Sequence, residues 1–375
     1  MQKLQDILTS SSLSAEQIAD KSGIAEERIT RILNGTDPTI SELRKIAAAL
    51  KINLTDFVPQ SSSQHDLRLK FRQGLARHDE PSIKHAAALE NKIASTIELI
   101  GLNRSPKRWA QNFNVEKFDY ANAERAARQF RDTFFDKDNH SPFGSLPKVC
   151  IEKLGVLLFV SRESDFEGAS TVLGGYPFIF IAARSFEPRM LFTLAHEIGH
   201  LVANKCTENH SVIDMKSDIE NWSEKSGEEA FADAFASCLL MPSEGVGLTL
   251  KKIREFIRQG DVGVVGDVEI LYLARIYNVS FMAAAIRCER LGLIPPGAAF
   301  ALNEIICKQH VSPEQRANTL GLPPRAKIAF PELSKKLLGE VTERIHAGHI
   351  SIGRASSLLG VSILDLFRLN EDTLH

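Results

Sequence analysis

Inside the apolar run LFTLAHEIGHLV stand His196, Glu197 and His200, and this cluster constrains the fold more than any other feature of the chain. On an α-helix, residues four apart share one face. Two imidazoles at that spacing reach one metal ion, and a carboxylate beside the first poises a water against it. Glu197 lies in a helix that is otherwise apolar on both sides. A buried carboxylate without a partner is costly, so a metal and its water are a reason for it to be there.

A catalytic zinc takes three protein ligands and leaves a fourth position open. Downstream, GEEAFADAFASCLLMP offers Glu229 and Asp233, four residues apart. Glu229 is the candidate third ligand. Asp233 is the candidate acceptor for a hydrogen bond from a ligating imidazole, which fixes its tautomer. Glu228 is the neighbouring alternative, but it points roughly 100° away around the helix. An acidic first turn is also favoured by the helix dipole alone, so the weight comes from the nearby histidine motif. In this reading Glu197 is the general base, taking a proton from water and passing it to a leaving amine. His210 and Tyr176 are candidate donors to a developing oxyanion, and no motif supports either.

Composition narrows the class. A chain of 375 residues predicts two to four domains. With 43% hydrophobic and 25% charged residues it has ample material for a core. The net charge of -2 gives no global basic field, so any DNA contact must come from a local surface. Cys150, Cys206, Cys238, Cys288 and Cys307 are scattered, with no C-x-x-C pair. That argues against a disulfide framework or a cysteine zinc site, and fits a reducing cytoplasm. The start, MQKLQDILTS, lacks a signal-peptide core, and no run approaches about 18 apolar residues. The expectation is a cytoplasmic protein without a membrane segment.

The predicted fold class is α+β and mostly helical, in four stretches. Residues 1–58 read as an all-α module. Leu4, Ile7 and Leu8 recur at helical spacing, and Ser14 with Gln17 signals a capping box. Gly23 breaks that helix, 25–33 resumes through Ile29, Ile32 and Leu33, and Asn34-Gly35 ends it. A further helix spans 41–50, and Leu54, Phe57 and Val58 close a small core. Residues 59–137 read as a polar linker, SSSQHD, and a helical packing region around Ile93, Ile97, Ile100, Ala126, Ala127 and Phe130. Residues 138–290 carry the chemistry. There, 156–160 and 178–181 are buried strands, Pro188 opens the HEIGH helix, and 228–240 is a second helix. Residues 291–375 are helical again. Helix–turn–helix rhythms at 268–290 and 350–369 read as bundle packing, with Phe281, Ile286 and Leu291 in the core or in a lid over a cleft.

ARSFEPRMLFTLAHEIGHLV followed by EEAFADAFASCLLMP resembles the ImmA/IrrE metallopeptidase family over roughly residues 120–290. The resemblance implies a zincin-like fold, Zn2+ held by His196, His200 and Glu229, and Glu197 as general base. The family usually has Asn where Asp233 stands, and the change keeps an acceptor. It also implies a protein substrate, since family members cleave a partner transcriptional repressor. QIADKSGIAEERITRILNG resembles the helix-turn-helix of the Cro/repressor (XRE) family over residues 4–58. The implied recognition helix, 25–34, enters the major groove with Glu26, Glu27, Arg28, Thr30 and Arg31 outward. Arg28 and Arg31 can read guanine or clamp phosphate. Glu26 and Glu27 depart from that purpose, because carboxylates repel phosphate.

Together these readings predict a homodimeric regulator bound to double-stranded DNA, with a zinc endopeptidase acting on a repressor or antitoxin-like partner. The rival is a transcription factor or antitoxin whose zincin-like domain senses a ligand or partner and cleaves nothing. The helical regions 66–137 and 291–375 are expected to restrain the cleft.

Overall fold

The computed structural model describes residues 14–33, 36, 38–50, 80–103, 107–135, 139–161, 166–207, 211–215, 227–257, 264–330, 335–359, 362–364 and 366. They fall into two compact units, residues 1–66 and 67–375. The readings at Leu4, Ile7, Leu8, Asn34-Gly35, Leu54, Phe57, Val58, the SSSQHD linker and His210 lie outside the described residues.

Among the described residues the first unit holds three helices whose ends are set by local chemistry. Helix α1 (Ala15–Ser22) begins at a reciprocal cap. The Gln17 amide donates to Ser14 Oγ at 3.2 Å, and the Ser14 amide donates to Gln17 Oε1 at 2.9 Å, which satisfies two amides that the first turn leaves without partners. Gly23, at φ 63, ends the helix in the left-handed region that glycine enters at no steric cost. Helix α2 (Glu26–Leu33) buries Ile29 and Ile32. Helix α3 (Ile40–Leu50) adds Ile46 and Ala47 to a small core with Ile18 and Ile24.

The second unit surrounds a four-stranded sheet. Helices α4 (Glu80–Ile100), α5 (Tyr120–Phe134) and α6 (Leu146–Val149) precede strands β1 (Leu157–Ser161), β2 (Phe166–Leu173) and β3 (Tyr176–Ala182). Helix α7 (Glu187–Ala203), strand β4 (Ser211–Met215) and helix α8 (Gly227–Leu240) follow. The sheet order is β1-β3-β2-β4. β1 runs parallel to β3, while β2 is antiparallel to both β3 and β4.

Both sheet faces are covered. Leu158, Val172, Ile179 and Ile181 pack with Leu191, Leu194 and Ile198 of α7. Leu157, Phe159, Phe178 and Phe180 pack instead with Ile93 and Ile97 of α4. That second face also takes Leu337 and Val341 of α14 (Lys335–His346) and Ala355 and Leu359 of α15 (Ile352–Leu359). Burial on both sides explains why β1 and β3 read as unbroken apolar runs. The sequence reading had no strand at β2 or β4, since FEGASTVL mixes Glu, Gly, Ser and Thr into its run and SVIDM is only five residues long.

The remaining helices extend the core on the α7 side. α5 lies against α8, with Phe130 edge-on to Phe235 at 5.9 Å between ring centres. Helices α9 (Ser243–Phe256), α10 (Asp267–Tyr277) and α11 (Phe281–Arg290) follow. Asn278 is left-handed at φ 57 and Ser280 caps α11, so α10 and α11 meet at 110°. Phe281 is buried, and Ile286 and Leu291 pack partly buried against the same core. These three residues are core and form no lid. Helices α12 (Ala298–His310) and α13 (Pro313–Thr319) join through Ala299, Ile306 and Ala317. Among the described residues no helix is long and apolar enough to cross a membrane.

Candidate metal centre

Two helices and one strand build the site. Pro188 sits in the first turn of α7, and every residue from Met190 to Val202 is buried. At Gly199 the helix comes so close to α8 that an added Cβ would stand 2.9 Å from Ala232 Cα. Only glycine permits that approach. Ala232 lies between Glu229 and Asp233 on α8, so the contact brings both carboxylates to the histidines of α7.

The imidazoles point their Nε2 atoms at a common place, 3.0 Å apart. Glu229 reaches the same place, with its two oxygens 3.5 Å from His196 Nε2 and 3.3 Å from His200 Nε2. Each remaining ring nitrogen has its own carboxylate. Asp233 Oδ1 lies 2.8 Å from His196 Nδ1, and Glu228 Oε1 lies 2.7 Å from His200 Nδ1. Glu228 also accepts from Asn204 Nδ2 at 2.6 Å. A carboxylate on Nδ1 turns the ring and presents Nε2 as a ligand. The sequence reading gave that role to Asp233 alone and set Glu228 aside. Its angular offset from Glu229 is what carries Glu228 to the far nitrogen of His200.

Asp214 of β4 is the residue that sequence reasoning missed. Its Oδ2 lies 3.1 Å from His196 Nε2 and 3.9 Å from His200 Nε2. One atom each from His196, His200, Asp214 and Glu229 falls within 4.8 Å of the others. The sole hint in the sequence is an acidic residue inside an apolar stretch, SVIDM, whose partner is set by sheet register.

Glu197 is fully buried and lies over Gly168 of β2. A Cβ at that glycine would collide with the Glu197 carboxylate and stand 2.7 Å from Thr193 Cγ2. Burial first, and the adjacent Asp214 charge second, hold the Glu197 carboxyl well above the usual glutamate range. Burial opposes the charge on His196, but Asp214 and Asp233 outweigh it and lift its pKa well above the ordinary value. His200 is raised too, against burial, by its Glu228 hydrogen bond and by Glu229. Asp214 is held low despite burial because His196 favours its anion.

The donor set fits a metal ion. Both Glu197 oxygens, Asp214 Oδ2 and Glu229 Oε2 are buried and, beyond Ser170, the histidines and one another, have no hydrogen-bond partner. Unsatisfied buried polar atoms are rare and need an explanation. Two imidazoles with carboxylates beside them are the chemistry that zinc takes. Tyr176 is not part of the site, since it packs in the cluster on the sheet face away from α7.

The helix-turn-helix candidates are placed as follows. Arg28 makes a bidentate pair with Glu42 of α3, with Nε at 2.8 Å and Nη2 at 3.0 Å. Thr30 Oγ1 donates to the Glu26 carbonyl at 2.9 Å, and Arg31 Nε to the Glu27 carbonyl at 3.3 Å. Thr30 and Arg31 are exposed.

Comparison with known families gives two matches. Residues 4–57 match the helix-turn-helix model, and residues 151–289 match the IrrE N-terminal-like domain. No curated protein matches the chain significantly. The second match spans the sheet, the histidine helix and α8 together, and the first spans the described helices of the first unit. The chain thus joins an XRE-type helix-turn-helix domain to an ImmA/IrrE-type domain of the metallopeptidase family.

Proposed function

We propose that this protein is a DNA-binding regulator whose ImmA/IrrE-type domain is a zinc-dependent endopeptidase, acting on a partner repressor or antitoxin. The observation that carries it is the convergence of His196, His200 and Glu229 at one point beside the buried Glu197. His196, His200 and Glu229 would hold the ion. Zinc there supplies Lewis acidity toward a water and toward the scissile carbonyl. Asp233 and Glu228 keep the two rings oriented. Glu197 takes the proton from water and returns it to the leaving amine, and its burial beside the histidines places it to do both.

Thr30 and Arg31 are the candidate DNA contacts, with the homodimer on a palindrome as the arrangement that such modules use. Arg28 reaches a base or phosphate only by giving up its pair with Glu42. The domain match and the outward Arg31 support DNA as the partner of this module.

One observation favours the rival reading of a sensor without peptidase activity. Asp214 is a fourth protein donor at the histidines, and sites closed by four protein ligands are characteristic of structural zinc. The test is cleavage of the regulator encoded beside this protein, with wild type against Glu197→Gln, both first shown to hold one zinc by elemental analysis. Cleavage by wild type and at least about a hundredfold loss in the variant is the expected result. No cleavage by zinc-loaded protein, either wild type or with Asp214→Asn, leaves the sensor reading in its place.

A further inference from the structure

Asp214 differs from every other carboxylate around the histidines. It comes from a strand, whereas Glu228, Glu229 and Asp233 share one helix. It is 2% exposed, and the partners of its Oδ2 are the groups of the site itself, His196 and Glu197. That oxygen lies beside both Nε2 atoms, and Asp214 is within hydrogen-bonding reach of the Glu197 carboxyl. Three protein donors suffice for a hydrolytic zinc site, which keeps its fourth position for water. A water activated by Glu197 must sit between that carboxyl and the ion held by the two Nε2 atoms. Asp214 takes this place.

We propose that Asp214 is a displaceable fourth donor, an internal plug that keeps the peptidase site closed until β4 moves. This inference rests on the peptidase reading above. The strand is built for displacement. β4 has five residues and stands at the edge of the sheet, paired among the described residues with β2 alone. Asp214 is opposite Gly168 in that ladder, and the register is irregular between Phe166 and Gly168. An irregular register disrupts the ladder locally, next to the plug. Withdrawing β4 breaks one short strand pairing and the Thr171–Ser211 hydroxyl contact and uncovers Val212 and Ile213, but it leaves α7, α8 and three strands in place. His196, His200 and Glu229 keep their positions, because the Gly199–Ala232 contact holds them and β4 does not.

The test uses the full-length chain, wild type and with Asp214→Ala or Asp214→Asn. Metal content is measured first. Zinc is then exchanged for cobalt(II), and acetohydroxamate is titrated while the visible absorption of the cobalt is followed. This small chelator needs an open position on the metal. The expected result is one metal ion in all three proteins and at least about tenfold tighter acetohydroxamate binding in both variants. Asp214→Asn keeps the shape of the side chain and guards against misfolding as the cause. Equal acetohydroxamate affinity in all three, with the metal retained, overturns the plug. Loss of metal from both variants overturns it as well, by making Asp214 a ligand that the site requires. A wild type that takes up no zinc or cobalt removes the peptidase reading itself, a failure distinct from the other two.

Discussion

At the scale of single residues, the site depends on what is missing as much as on what is present. Gly168 leaves room for the Glu197 carboxylate, and any Cβ there must push that carboxylate aside. Gly168→Ala is therefore expected to keep the metal and to lose about two orders of magnitude in peptidase rate, at a cost of about 1–3 kcal/mol in stability from overpacking. Elemental analysis beside a cleavage assay checks it, and loss of metal would show that the glycine serves the ligands instead. In the first unit, Glu42 accepts from the Thr39 amide at 2.7 Å while Arg28 grips it from α2. The Arg28 hydrogen bond first, and the Thr39 amide second, bring its pKa down to about 2. A carboxylate depressed in the folded state adds stability above its unfolded value, near ~4.3, and that contribution disappears as pH falls through about 2. Amide exchange across residues 26–50 should accelerate as pH drops from about 5 toward 2, relative to the intrinsic rate. Glu42→Gln should flatten that dependence. An unchanged profile in the variant would mean that the pair contributes nothing.

At the scale of elements, the α7–α8 contact is the decisive one. The histidines stand on α7, while Glu228, Glu229 and Asp233 stand on α8, so metal affinity depends on the separation of the two helices. Gly199 sets that separation against the Ala232 backbone, which cannot rotate away as a side chain could. Gly199→Val is expected to force the helices apart and to weaken zinc binding by about 10- to 100-fold, the range found when orienting partners are lost. Competition with a zinc chelator measures this, and unchanged affinity would mean that the carboxylates follow the histidines without the close approach. The helix i,i+4 rule made this region legible in the sequence. HEIGH and the Glu229–Asp233 pair are local patterns, and the helices that carry them have their own start signals in Pro188 and an acidic first turn.

At the scale of the whole molecule, helices far apart in the chain complete one another's cores. α4, α14 and α15 cover the sheet face formed by Leu157, Phe159, Phe178 and Phe180. Lys92 donates to the Leu359 carbonyl at 3.1 Å, and Arg354 pairs with Glu98, linking α4 to α15. Uncovering a large apolar side chain costs about 1.5–3 kcal/mol, so losing α14 and α15 from a face that α4 alone would still partly cover takes a large share of a domain stability of about 5–15 kcal/mol. Removing residues 335–375 is expected to give aggregation, seen by light scattering. A soluble truncated chain with a native melting temperature would sink this account. Among the described residues, α14 and α15 lie on the sheet face away from α7. The sequence by itself determined what depends on neighbours within a few residues: the capped helices of the first unit, the apolar strands β1 and β3, the i,i+4 histidine spacing of α7 and the carboxylate pair of α8. Only the tertiary structure decided what depends on register and approach. Asp214 meets the histidines because β4 pairs with β2 opposite Gly168. Glu228 reaches His200 because Gly199 lets two helices touch. Helical and strand periodicities report which way a side chain faces along its own element. Which element lies opposite is set by packing between segments distant in the chain, and no local pattern encodes it.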